Sequence, residues 1–236
     1  MTSLVPDWIT VTIALGAAVI AAGTWLVFFF AARSSGRRSW NVMVALGLGL
    51  LAWLAIALLL GFRGFFEARS SARFPHIALG FAPILGGLAA YVTFKPIRDV
   101  VRAAPPHLVL GIQAYRILGF VFLVLFAKGR LPGIFALPAG VGDMIVGVTA
   151  PLVAFLVWKD HRWGKRLAAI WNVAGIYDLV QAVVFGFLTA PTRYQLLAFN
   201  APNFAIGAFP LVLVPTFAVP LSILLHIVSL GEILRG

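Results

Sequence analysis

The chain predicts an all-α fold: a polytopic membrane bundle of seven transmembrane helices, with the N-terminus outside and the C-terminus cytoplasmic. Three observations predict it. Hydrophobic residues fill 62% of the 236 positions and charged residues only 11%, with a mean hydropathy of +1.03. Soluble domains carry about 25% charged residues, so this chain lacks the polar groups to cover a surface facing water. Its apolar residues also fall into seven runs, near the roughly 20 residues a helix needs to cross hydrocarbon. Finally, every Lys and Arg except Arg116 lies outside those runs. Helices are required because an open strand would leave backbone N–H and C=O groups unpaired in lipid. A barrel would need stretches of about ten alternating residues, and these runs do not alternate.

The first span, 8–32, follows MTSLVPDW. That start has no basic n-region and the apolar run is too long for a signal-peptide core, so it reads as a retained span. The second covers 42–62 and the third, the shortest, 77–94. Ala82, Gly86 and Ala90 form a small-residue stripe on the third that predicts close helix packing within the bundle. RAAPPH (102–107) has a Pro pair that ends one element and starts another. The fourth span, 108–127, follows it. The fifth, 134–158, contains LPAGVGDMIVG, where Pro138, Gly140 and Gly142 precede Asp143. That run predicts either a break in the helix or close packing by small residues. WKDHRWGKR (158–166) mixes aromatics and cations as the headgroup layer favours. The sixth span is 167–190. The connection 191–210 reads as a surface helix or a partly re-entrant loop. The seventh span, 211–234, carries Pro215 and Pro220, each of which frees a carbonyl about four residues earlier. All seven belong to one integral domain, 1–236.

Basic residues orient the bundle. Arg33, Arg37, Arg38, Lys95, Arg98, Arg102, Lys159, Arg162, Lys165, Arg166 and Arg235 fall on one side. Arg63, Arg69, Arg73, Lys128, Arg130 and Arg193 fall on the other. The richer side is expected to be cytoplasmic, as in a bacterial inner membrane.

Composition excludes several functions. With no cysteine, disulfides, thiolate metal sites and cysteine nucleophiles are ruled out. The net charge of +11 is spread over short loops. It suits anionic lipid headgroups rather than nucleic acid, for which no aromatic-interleaved basic stripe exists. No cofactor is expected: the lysines all lie in loops, leaving no buried amine for a retinal-type Schiff base. Three of the four histidines, His76, His107 and His161, sit near span ends, and His226 lacks metal partners at its depth. No catalytic set is assigned, since neither a GxSxG elbow nor an HExxH motif is present and Ser222, four residues before His226, has no evident third partner.

The informative residues are charges at membrane depth, which persist when paired or facing a cavity. Arg116 interrupts LVLGIQAYRILGFVFLVLFA, and Asp143 and Asp178 interrupt the next two spans. At about 1.5 Å per residue, Arg116 and His226 lie roughly 12 Å from the richer basic side and Asp178 roughly 16 Å. Asp143 falls one to two turns farther out. Gln113 and Tyr115 accompany Arg116, while Asn172, Tyr177 and Gln181 accompany Asp178. Spans one and two carry almost no polar groups and read as packing or lipid-facing helices. One arginine can neutralise one acid, leaving the other to be protonated, hydrated or paired elsewhere.

Together Arg116, Asp143, Asp178, Gln113, Tyr115, Asn172, Gln181 and His226 form a candidate substrate- or proton-binding interior. Three functions fit it. A small transporter or permease would bind a small polar or anionic ligand there. A membrane-embedded enzyme would act on a lipid or isoprenoid through a lateral opening. A seven-helix receptor or accessory subunit would signal through short loops, and a homo-oligomer is compatible with each.

Overall fold

The computed structural model describes residues 5–33, 37–70 and 73–235, with the side chains at 37–39 excluded. The side chains of Arg37 and Arg38, counted above, and the first four residues of MTSLVPDW therefore lie outside the described residues. Among the described residues, seven helical segments are long and apolar enough to cross a membrane. They run Asp7–Arg33, Trp40–Phe62, His76–Thr93, Pro106–Ala127, Gly133–Trp158, Gly164–Thr189 and Val214–Arg235. This is the makeup of a multi-pass membrane protein.

Helices α1 (Asp7–Arg33) and α2 (Arg37–Phe62) pack together. α2 ends where Gly64 turns to φ +67°, with Phe65 N–H donating to Leu60 O and Gly64 N–H to Gly61 O. This is the paired 6→1 and 5→2 pattern that satisfies orphan carbonyls at a helix end. Gly129 and Asp160 close later helices in the same way, with φ +66° and +48°.

The third span opens as a 3₁₀ turn, His76–Phe81, and continues as α3, Ala82–Thr93. Its Ala82–Gly86–Ala90 stripe does not pack into the bundle as expected. All three residues line an open groove, and a Cβ on Gly86 would meet nothing within 4 Å. Sequence reading also missed α4, Lys95–Arg102, a short amphipathic helix that buries Val100 and Val101 and exposes Lys95, Asp99 and Arg102.

Span four is not one α-helix. It divides into α5 (Pro106–Ile112), a 3₁₀ stretch (Gln113–Gly119) and α6 (Phe120–Ala127). Of the two readings of Pro138–Gly142, the break is absent: α7 runs unbroken from Gly133 to Trp158 with Pro138 and Pro151 inside it. The glycines there serve close packing, the other reading. A Cβ on Gly147 would strike the backbone of Arg116 and Ile117, and one on Gly140 would lie 3.1 Å from Gly119 O. The irregular turn of span four thus lies directly against the glycine face of α7.

α8 (Gly164–Thr189) packs along α7 and against α9 (Val219–Arg235). A π turn, Val214–Ala218, begins span seven, and Val219 N–H reaches Val214 O across it. Pro220 cannot donate to Thr216 O, and the Trp53 indole takes that carbonyl at 2.9 Å. The freed backbone is therefore re-satisfied by a neighbouring helix. The 191–210 connection forms no surface helix. Its Asn203, Ala205 and Ile206 are buried, and Gly207 packs on Phe66 O. α1 is more than a packing helix, because Thr12, Ile13, Gly16 and Ala17 wall the polar interior described next.

Candidate functional site

Arg116 is the centre of the polar interior and is 2% exposed. The 3₁₀ stretch has three residues per turn, so side chains three apart eclipse. Gln113 and Arg116 accordingly project together, both buried. The guanidinium reaches three helices. Its Nε donates to Asp143 Oδ1 on α7 at 2.7 Å, its Nη2 to Asp178 Oδ2 on α8, and its Nη1 to His226 Nε2 on α9 at 3.2 Å.

Depth counting put Asp143 a turn or two beyond Arg116 and left the choice of partner open. The structure brings both acids to one arginine, because the guanidinium fork presents donors on separate edges. Four glycines supply the room. A Cβ on Gly119 would overlap Asp143, one on Gly142 the Asp178 carboxylate, and one on Gly175 the His226 ring. Gly147 lets the Arg116 backbone approach, as above. Of these, only Gly142 stood out in the sequence.

Bonding fixes the histidine's state. Arginine only donates, so His226 Nε2 must accept, and its proton sits on Nδ1. Nδ1 lies 2.9 Å from Asn172 Oδ1, the acceptor end of that amide. Asn172 Nδ2 in turn donates to Ala168 O at 2.9 Å and Ser229 Oγ at 3.1 Å. His226 is therefore neutral here, and the cluster sets one cation against two carboxyl groups.

Tyr115 and Gln113 tie the same turn to span seven. Tyr115 Oη is 2.7 Å from Ser222 Oγ and 3.3 Å from Ala218 O, and Gln113 Nε2 donates to Ser222 O at 3.3 Å. Gln113 Oε1 is buried without a partner. Ser222 thus faces Tyr115, while both ring nitrogens of His226 are engaged elsewhere, so the two form no serine–histidine pair. Ser229 was not anticipated, since a lone serine in an apolar helix gives no sequence signal. Gln181 is half-buried and makes none of the bonds of this network, and Tyr177 points outward, 67% exposed.

Two small cavities meet at Asp143. One, about 60 Å³, runs from Glu67, Arg69 and His76 past Phe135, Leu179 and Val183 to Asp143. The other, about 40 Å³, is lined by Asp143, Arg116, Tyr115 and α1. They share Phe122, Asp143, Leu179, Val214 and Val219 as walls. At roughly 10–15 Å³ of such volume per water, they accommodate a few waters or a small ion.

Residues 73–234 match the family model described as Domain of unknown function (DUF8737). The chain belongs to that family. No curated protein and no solved structure matches it. The DUF8737 match includes Arg116, Asp143, Asp178, Asn172 and His226, while α1 and α2 lie outside it.

Proposed function

We propose that this DUF8737 member is a small transporter that takes up and releases a proton at the Arg116–Asp143–Asp178 cluster. The observation that supports it most is the charge balance. Two carboxylates share one guanidinium beside a neutral histidine, which leaves one surplus negative charge among buried groups. An uncompensated buried charge is expensive, and a proton on one acid removes it. Asp143, on the water-sized cavities, is the acid that exchanges the proton. Arg116 holds the remaining carboxylate and engages an anionic or polar ligand, with Gln113, Tyr115, Asn172 and His226 fixing its position. The π turn and Pro220 give span seven a place to bend.

With the basic-rich loops cytoplasmic, the cavity entrance at Glu67, Arg69 and His76 faces outward. A bacterial inner membrane and a single domain over 1–236 accord with this reading. The lipid-enzyme alternative needs an acyl-sized groove reaching the acids, and the cavities that reach them are too small for one.

The test is proton flux in proteoliposomes loaded with a pH-sensitive dye, driven by a potassium diffusion potential. The wild-type chain is expected to acidify or alkalinise the lumen with the imposed potential, and folded Asp178→Asn and Asp143→Asn variants to lose that flux. Wild-type flux from either monodisperse variant removes that residue from the mechanism.

A further inference from the structure

We propose that the groove between α2 and α3 is a lipid site, holding the acyl chains of one anionic phospholipid with its headgroup at Arg98 and Arg235. This site is separate from the charged cluster: Arg116, Asp143, Asp178 and His226 do not line it.

The groove encloses about 880 Å³, within the roughly 300–1,000 Å³ typical of ligand sites. One wall is α2, from Ala45 through Gly49 and Trp53 to Leu60. These fifteen residues of rise span about 22 Å, most of the roughly 30 Å hydrocarbon core. The facing walls are α3, through Ala82, Gly86 and Ala90, and α9, through Leu224 and Val228. α2 and α3 scarcely touch each other, so the space opens sideways between them, toward the acyl chains. Phe65 and Phe66 close one end, and Ile97 and Val101 of α4 the other.

The α4 end, unlike the Phe65–Phe66 end, places a charged side chain among the residues that line the groove. At the α4 end stand Lys95, Arg98, Arg102 and Arg235 against Asp99 and Glu232, four cations to two acids. Arg235 lines the groove itself, with Nη1 directed to Tyr91 Oη at 2.9 Å and to Glu232. Arg98 is tied to the same tyrosine through the backbone, donating to Tyr91 O at 3.5 Å and to Val92 O at 2.7 Å. A phosphate at this level meets complementary charge, and its chains extend into an apolar trough. A second copy of the chain is disfavoured. A two-fold axis along the bilayer normal would set this basic end against its own image.

Native mass spectrometry of the full chain in detergent, titrated with dioleoyl-phosphatidylglycerol or dioleoyl-phosphatidylcholine, tests the site. The wild-type chain is expected to retain one phosphatidylglycerol, with a preference of roughly thirtyfold over phosphatidylcholine from two arginines at the membrane surface. Arg98→Gln with Arg235→Gln reduces phosphatidylglycerol to the phosphatidylcholine level. Gly49→Trp with Gly86→Trp fills the trough and abolishes retention of both lipids. A Cβ at either glycine meets nothing within 4 Å, so the backbone has room for the change. Equal retention of the two lipids by wild type, retention unchanged in either double variant, or a two-chain species that the filled variant dissociates would each overturn the proposal.

Discussion

Glycines line both the charged seam of spans four to seven and the groove between α2 and α3, yet they meet different neighbours. In the seam, added Cβ atoms at Gly119, Gly142, Gly147 and Gly175 would collide with Asp143, Asp178, the Arg116 backbone and His226. In the groove, those at Gly49 and Gly86 would reach nothing, although those at Gly80 and Gly87 would meet Thr216 and Leu224 of span seven. The difference teaches that small residues permit close approach in a membrane without causing it. Without a hydrophobic force between helices in lipid, packing and interhelical polar bonds must draw them together. The seam has those bonds, from Arg116 outward. The groove walls are apolar over most of their length.

The largest expected effect breaks the seam at its centre. Arg116→Gln leaves two buried carboxylates facing each other and is expected to cost about 3–5 kcal/mol, read as a loss of thermal stability in detergent. Adding Asp143→Asn and Asp178→Asn to that variant should restore most of the stability and none of the proton flux. A triple variant as unstable as the single one would mean the arginine's packing, not its charge, holds the helices.

A finer comparison sets Gly142→Ala against Gly86→Ala. The first pushes the Asp178 carboxylate off Arg116 and should destabilise by about 1–3 kcal/mol, as overpacking does. The second should stay within about 0.5 kcal/mol. Equal effects would erase the distinction between the two regions.

Much of this was legible in the sequence, for identifiable reasons. Composition and run length set the seven spans, and lone charges in apolar runs pointed to Arg116, Asp143 and Asp178. Asn172 and His226 followed because their polarity is equally conspicuous there. What the sequence did not locate was irregular backbone. Pro138 and Gly142 left a break or close packing open in α7, because glycine signals close approach as readily as a kink. The actual distortion, at Gln113–Gly119, lies in QAYRILG, which contains no proline and only a terminal glycine. It lies against the glycine face of α7, a tertiary contact that no local pattern reports. Neither Ser229 nor the open face of α3 could be read, because one serine and one small-residue stripe look alike whether buried or bare.

A single lost hydrogen bond tests the join between the regions. Trp53 lines the groove, yet its indole satisfies the Thr216 carbonyl freed by Pro220. Trp53→Phe keeps an aromatic ring there and leaves that carbonyl unpaired, for a loss of about 1 kcal/mol. Proton flux should persist. A variant that folds normally but stops conducting protons would place Trp53 in the transport pathway instead.

Infrared difference spectroscopy of the carboxyl C=O stretch reports the surplus proton most directly. In the folded chain at neutral pH, a protonated-carboxyl band should be present that vanishes in the Asp143→Asn, Asp178→Asn double variant and persists in Glu67→Gln and Glu232→Gln. A wild-type spectrum showing only ionised carboxylates would contradict the account, because the cluster would then carry its extra negative charge without a proton.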